Sequence, residues 1–199
     1  MMKGELNRGI VDQNPLFRLG LGLCPALAVT ATVGDAVGMG LCVWGVLVAS
    51  AAAVSFTRNL IPRNVAALCR LMMIACFATI ADMLLQAHAP GLRGRLGIYV
   101  PLIAVNCLIL ERTDSFAAKN RLVPSVIDGA AMGAGFIAAL FFCSVVREIL
   151  GSFRLFGQRV VPSENPLLVF ASPCGGFFAL ALVLGLYNFL RLRKRERPR

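Results

Sequence analysis

Long apolar runs, with most of the charge pushed into the gaps between them, decide what this chain can fold into. Hydrophobic residues make up 58% of it and charged residues 15%, where a soluble domain is about one-quarter charged. In a bilayer the backbone of such a run finds no water, so it must bond to itself as helix. Spans are expected at about 17–33, 35–56, 64–88, 96–110, 125–146 and 167–190. A crossing takes about 20 residues. The second, third, fifth and sixth runs suffice. The first is interrupted by Gly20, Gly22 and Pro25, and the fourth is short and holds Pro101. Both are expected to be broken half-helices, tolerated at depth only where protein or a cavity takes up the irregular backbone. No polar stretch is longer than a loop, so the chain reads as one membrane domain with a basic tail at 191–199. Residues 1–15 are mostly polar, and no signal peptide is expected.

Two phrases occur twice, in the same order. Pro25-Ala-Leu-Ala-Val29 returns as Pro101-Leu-Ile-Ala-Val105, and Asp35-Ala-Val-Gly-Met39-Gly40 returns as Asp128-Gly-Ala-Ala-Met132-Gly133. The order points to an internal duplication, with one repeat over about 14–88 and the other over about 96–190. Three spans per repeat turn the second copy upside down. The expected fold is an all-α polytopic membrane protein of six transmembrane segments in two inverted three-helix repeats. Broken segments at matching places in such repeats point to a midplane site.

The net charge of +10 could suggest nucleic acid, but its placement argues otherwise. Six of the 20 basic residues form the tail Arg191, Arg193, Lys194, Arg195, Arg197 and Arg199, with no aromatic residue among them. Such a tail reads as a topology anchor on anionic headgroups. Six spans put both termini on one side. That side collects Lys3, Arg8, Arg18, Arg58, Arg63, Arg112, Lys119, Arg121 and the tail, and the other collects Arg93, Arg95, Arg147, Arg154 and Arg159. The positive-inside rule then makes both termini cytoplasmic.

Seven cysteines in a chain of this kind do not announce disulfides. Cys42, Cys69, Cys76 and Cys143 lie inside expected helices and read as small apolar filling. Cys174 lies in Pro173-Cys-Gly-Gly176, an expected kink of the sixth span, where packing is again the simpler role. Cys24 and Cys107 differ, because each accompanies one copy of the duplicated proline phrase. Thiolates suit zinc, Cu(I) or iron–sulfur clusters, yet two cannot complete a four-thiolate site. On the residues alone, packing and metal ligation both stay open. His88, at a span end, reads as interfacial. Asp35 and Asp128 are expected to cap the second and fifth helices. Asp82, inside the third span, is either a functional carboxylate or a paired one. Arg70 is too far along the same helix to reach it. No flavin or nucleotide motif is present.

Gly22-Leu-Cys-Pro-Ala-Leu-Ala-Val-Thr30, Gly97-Ile-Tyr-Val-Pro-Leu-Ile-Ala-Val-Asn-Cys107, Pro124-Ser-Val-Ile-Asp-Gly129, Met132-Gly-Ala-Gly-Phe136 and Arg147-Glu-Ile-Leu-Gly151 resemble RnfE, the E-type subunit of the Rnf (Rsx) complex. That family is homologous to NqrD of the sodium-pumping NADH:quinone reductase, which is the near alternative. The likeness runs from about Asn14 to the tail. It departs at Glu111-Arg-Thr-Asp-Ser-Phe116, where the family usually reads Gly-Arg-Ala-Glu-Ala-Phe, and at Val105, where Thr is frequent.

The resemblance implies a six-helix subunit of a bacterial inner-membrane translocase, with RnfA, RnfB, RnfC, RnfD and RnfG as partners. It implies a [2Fe–2S] cluster shared with the pseudo-symmetric RnfA, with Cys24 and Cys107 as this chain's ligands. Electrons would cross the membrane between NADH- and ferredoxin-linked carriers, coupled to Na+ or H+ movement. No catalytic residue and no flavin are expected on this chain. A secondary transporter without redox chemistry would explain the inverted repeat equally well, but not the paired cysteines. A purely structural assembly protein is a third class.

Overall fold

The computed structural model describes residues 16, 20–30, 32–152, 154–155, 158–159 and 173–195. In chain order the α-helices among them are α1 (Leu23–Val29), α2 (Val33–Thr57), α3 (Ala66–His88), α4 (Pro90–Leu96), α5 (Cys107–Arg112), α6 (Leu122–Ser152) and α7 (Pro173–Arg195). Short 3-10 turns and a π-turn join some of them. Arg154–Leu155 pairs with Gln158–Arg159 in a small antiparallel hairpin.

Among the described residues, α2, α3 and the Leu122–Glu148 part of α6 are long and apolar enough to cross a membrane. They answer the second, third and fifth expected spans. The expected fourth span is a bent pair, in which Pro90–Leu96 and Pro101–Ala117 meet at 59°. In α7 the apolar stretch is Gly175–Gly185. Helix α7 is described from Pro173, a position where the missing N–H costs no helical bond. The expected start of that span, at 167–172, lies outside the described residues, as do residues 1–15 and 196–199. The helix itself runs on through the basic residues to Arg195.

The start of α2 shows how the local sequence makes the helix. Thr32 is its N-cap, and the Thr32 hydroxyl accepts the Asp35 N–H at 3.3 Å and donates to the Asp35 carboxylate at 2.6 Å. This is a variant of the capping box, with the acid three residues on. Asp35 therefore supports the cap from the first turn. Asp128 does not cap, contrary to expectation. Helix α6 opens at Leu122, so Asp128 falls inside it, 3.8 Å from Arg112.

The duplicated Met-Gly pairs build the central crossing. Met39 and Met132 are both buried. A Cβ on Gly40 would lie 3.1 Å from Ile137 of α6, and one on Gly133 would run into the Trp44 ring of α2. Each glycine thus receives the side chain four residues beyond the other glycine. Gly129 continues the contact against Leu47 and Val48. The contacts climb α2 while descending α6, so these two helices run antiparallel. The Trp44 indole N–H donates to the Ala130 carbonyl at 3.2 Å, which fixes the ring. Val43, Leu47, Phe136 and Leu140 complete the core around the crossing.

Ion pairs fasten the remaining pieces. Asp82 of α3 takes Arg93 at 3.2 Å, and Asp35 of α2 takes Arg95 at 3.1 Å, so α4 is held from both sides. Arg70 pairs with Asp114 instead of Asp82. Arg147, expected in a loop, is only 4% exposed inside α6. It donates to the Leu27 carbonyl at 2.8 Å and to the Thr30 hydroxyl at 3.1 Å. The neighbouring Glu148 accepts the Val33 N–H at 2.9 Å.

Candidate functional site

The two broken segments meet. Gly22 precedes α1 in the left-handed region, with φ 77°, which favours glycine. It is also sterically confined, since a Cβ there would lie 2.5 Å from the Phe136 ring. This geometry lets the Gly22 N–H donate to the Cys107 Sγ at 2.9 Å. Cys24 is the second residue of α1 and Pro25 the third. Pro25 therefore sits in the first turn, where its missing N–H costs no helical bond. It starts a helix, where a break was expected.

The second segment changes helix type at the cysteine. Pro101–Val105 is a 3-10 turn, Asn106 is extended, and α5 begins with Cys107. The Asn106 Oδ1 accepts the Leu108 N–H at 3.0 Å and caps α5. Each cysteine is thus in the first turn of a short helix, at the end where the backbone presents N–H groups.

Cys24 and Cys107 line one cavity of about 200 Å³, together with Pro25, Met39, Tyr99, Leu102 and Asn106. Its walls are mostly apolar. Cys24 is exposed and Cys107 half-buried. Asn106 is 4% exposed, and its Nδ2 is buried without a hydrogen-bond partner. Among the described residues, no three or more His, Cys, Asp or Glu are grouped to hold a metal ion. The chain therefore presents a pair of thiols, which is half of a four-thiolate set.

The other expected residues are elsewhere. Cys42 lines a separate groove of about 530 Å³ between α2 and α3, which also holds His88. Cys143 is buried in the core. Cys69 and Cys76 lie on α3, and Cys174 in the first turn of α7. Asp82 is committed to Arg93 and to the Gln86 amide. Sequence reasoning assigned no role to Asn106 or Glu148 and placed Arg147 among the loop charges, although all three lie in the motifs that carried the resemblance. A polar residue directly before the cysteine, and two charges inside the end of an apolar run, were the available signals.

Residues 2–184 match the family described as Rnf-Nqr subunit, membrane protein. The chain belongs to that family. It is 43% identical over 186 residues to the E-type subunit of the Na(+)-translocating ferredoxin:NAD(+) oxidoreductase complex of Acetobacterium woodii, covering 93% of this chain and 95% of the relative. It is 40% identical to the E-type subunit of the proton-translocating ferredoxin:NAD(+) oxidoreductase complex of Clostridium ljungdahlii, over 91% of this chain and 87% of that one. It is 37% identical to the E-type subunit of the ion-translocating oxidoreductase complex of Methanosarcina acetivorans, over 96% and 92%. Membership in the family and the apolar helices agree on a multi-pass membrane protein.

Proposed function

We propose that this chain is the RnfE component of an Rnf-type complex, a ferredoxin:NAD oxidoreductase of the inner membrane that moves Na+ or H+ as electrons pass. The names of its relatives support this component over the homologous NqrD of the quinone reductase. Within it, Cys24 and Cys107 supply two of the four ligands of a [2Fe–2S] cluster, and the homologous RnfA supplies the other two. The observation that carries this reading is the single cavity lined by both thiols, with the Gly22 N–H already directed at the Cys107 sulfur.

The residues present suit that group. Thiolates are soft ligands for iron. An N–H aimed at a thiolate sulfur stabilises its negative charge. The apolar walls limit water and so strengthen each such contact. The buried Asn106 Nδ2, which has no hydrogen-bond partner, offers a further donor. A [2Fe–2S] cluster bound there supplies a one-electron relay.

The six-span inverted architecture belongs to the same proposal. It is supported by the antiparallel pairing of α2 with α6 through the duplicated Met-Gly phrases. Cytoplasmic termini are supported by the basic tail, although Arg112 and Arg147 drop out of the loop charges, since Arg112 is half-buried in an ion pair and Arg147 is buried in helix-end contacts. The remaining components, RnfB, RnfC, RnfD and RnfG, complete the electron path on either side.

The test is cysteine replacement in the assembled complex. Cys24→Ser or Cys107→Ser removes or strongly weakens the electron paramagnetic resonance signal of the reduced cluster. Cys42→Ser and Cys143→Ser leave it in place. Full iron content and an unchanged spectrum in the Cys24→Ser, Cys107→Ser double variant would falsify the assignment.

A further inference from the structure

We propose that the side-chain amide of Asn106 donates a hydrogen bond to sulfur at the Cys24–Cys107 site and thereby raises the reduction potential of the centre held there. The inference rests on the reading of these cysteines as ligands, and adds to it a residue that sets the potential.

The geometry divides the Asn106 amide into two halves. Its Oδ1 is committed to the Leu108 N–H at 3.0 Å, as the cap of α5. That bond fixes which way the planar amide faces, since an NH2 group cannot accept from a backbone N–H. The other half, Nδ2, is buried and has no partner, in a residue that lines the cavity and is 4% exposed. A buried donor left unpaired carries a full desolvation penalty.

Capping does not require that donor. An N-cap needs only an acceptor oxygen, and Asp or Ser supplies one as well as Asn. Asp or Ser at this position would cap α5 without leaving an NH2 group unpaired. The amide therefore has a use beyond the helix. Among the other residues that line the cavity, the side-chain acceptors are the Cys24 and Cys107 sulfurs, the Met39 thioether and the Tyr99 hydroxyl. A thiolate or a bridging sulfide attracts an N–H more strongly than the neutral groups do. Asn106 is bonded in sequence to Cys107, on the cavity wall the cysteine shares. The Gly22 N–H on Cys107 would be the first donor to this site, and the Asn106 amide the second.

The sign of the effect follows from charge. Reduction adds an electron to an anionic cluster, and donors to its sulfurs stabilise the reduced state more than the oxidised one. Removing the amide donor lowers the potential.

The experiment uses the assembled complex. Asn106→Asp keeps the cap oxygen and the shape but removes the donor. Asn106→Thr keeps a capping hydroxyl, adds no charge, and stands in if the Asp variant does not assemble. The expected result is an unchanged cluster content with a midpoint potential, followed by paramagnetic resonance, shifted to more negative values in both. The iron–sulfur stretching bands in resonance Raman spectra lose their sensitivity to deuterium exchange at this donor. Wild-type potential and wild-type deuterium shifts in the variants overturn the inference, as does a fall in thermal stability with no change of potential. The cysteine variants separate this outcome from failure of the ligand reading. A cluster that depends on Cys24 and Cys107 but ignores Asn106 defeats only the inference made here. A cluster indifferent to those cysteines defeats both.

Discussion

Arg147 donates to the carbonyl oxygen of Leu27 at 2.8 Å, which ties the far end of α6 to the helix that carries Cys24. The adjacent Glu148 takes the first N–H of α2, at Val33. A cation thus closes the C-terminal end of α1 and an anion the N-terminal end of α2, each opposite in sign to the helix end it meets. Gly176 of α7 leaves the space for this, since a Cβ there would lie 3.3 Å from the Arg147 guanidinium. The facing ends of the two helices are thus held by two consecutive residues of α6.

Replacing Arg147 by Leu therefore removes two donors and leaves the Leu27 carbonyl and Thr30 hydroxyl short of a partner. The expected loss of stability is about 1.5–3 kcal/mol, the range for hydrogen bonds to a charged group. Arg147→Lys retains part of it, because an ammonium can still reach one oxygen. Thermal unfolding of the purified chain in detergent gives the answer, and a melting temperature unchanged in Arg147→Leu refutes it.

Gly133 has no room for a side chain. Gly133→Ala drives a methyl group into the Trp44 ring, at an expected cost of about 1–3 kcal/mol for overpacking. Adding Trp44→Leu to the same chain should recover a good part of that loss. A double-variant cycle measures the coupling. Strictly additive effects would mean that the two residues do not meet.

Asp82 is a strut in this structure. Its carboxylate is shared by Arg93 and Gln86, and Arg93 is 40% exposed, so water screens the pair. Asp82→Asn should cost only about 0.5–1 kcal/mol and leave turnover per assembled complex unchanged. Exchanging the charges, Asp82→Arg with Arg93→Asp, should restore the stability. A loss of ion transport in a stable Asp82→Asn complex would instead put this carboxylate on the ion path.

Orientation can be read with reporters. A fusion after Arg199 should be cytoplasmic and one within 152–162 external. The reverse labelling inverts every loop assignment made from the basic residues.

Much of this was legible in the chain. The three long helices were, because apolar runs of that length have one solution in a bilayer. The pairing of Cys24 with Cys107 was also suggested, since both accompany the same repeated phrase. What could not be read was which neighbour a group would meet. A proline in the first turn of a helix and a proline that breaks one look alike, so Pro25 was misplaced. Asp128 looked like a cap because Asp35, its counterpart in the first copy of the phrase, lies at a helix start, yet α6 begins a turn and more earlier. Arg147 looked like a water-side charge because it ends an apolar run. Its acceptors, at Leu27 and Thr30, lie more than a hundred residues away along the chain, a relation visible only once α1 and α6 have packed. The orientation of the Asn106 amide likewise depends on the N–H it caps.

The exchange of Gly40 and Gly133 against Ile137 and Trp44 also governs how the protein is made. Helix α2 leaves the ribosome well before α6, and until then its glycine face and the Trp44 ring lack the α6 residues that cover them. The first half can thread into the bilayer, but its central seam closes only when the second half arrives with the opposite direction of travel. Such a late, long-range closure slows assembly and leaves intermediates open to wrong partners. For this chain, the vulnerable interval of biosynthesis is the synthesis of residues 58–140.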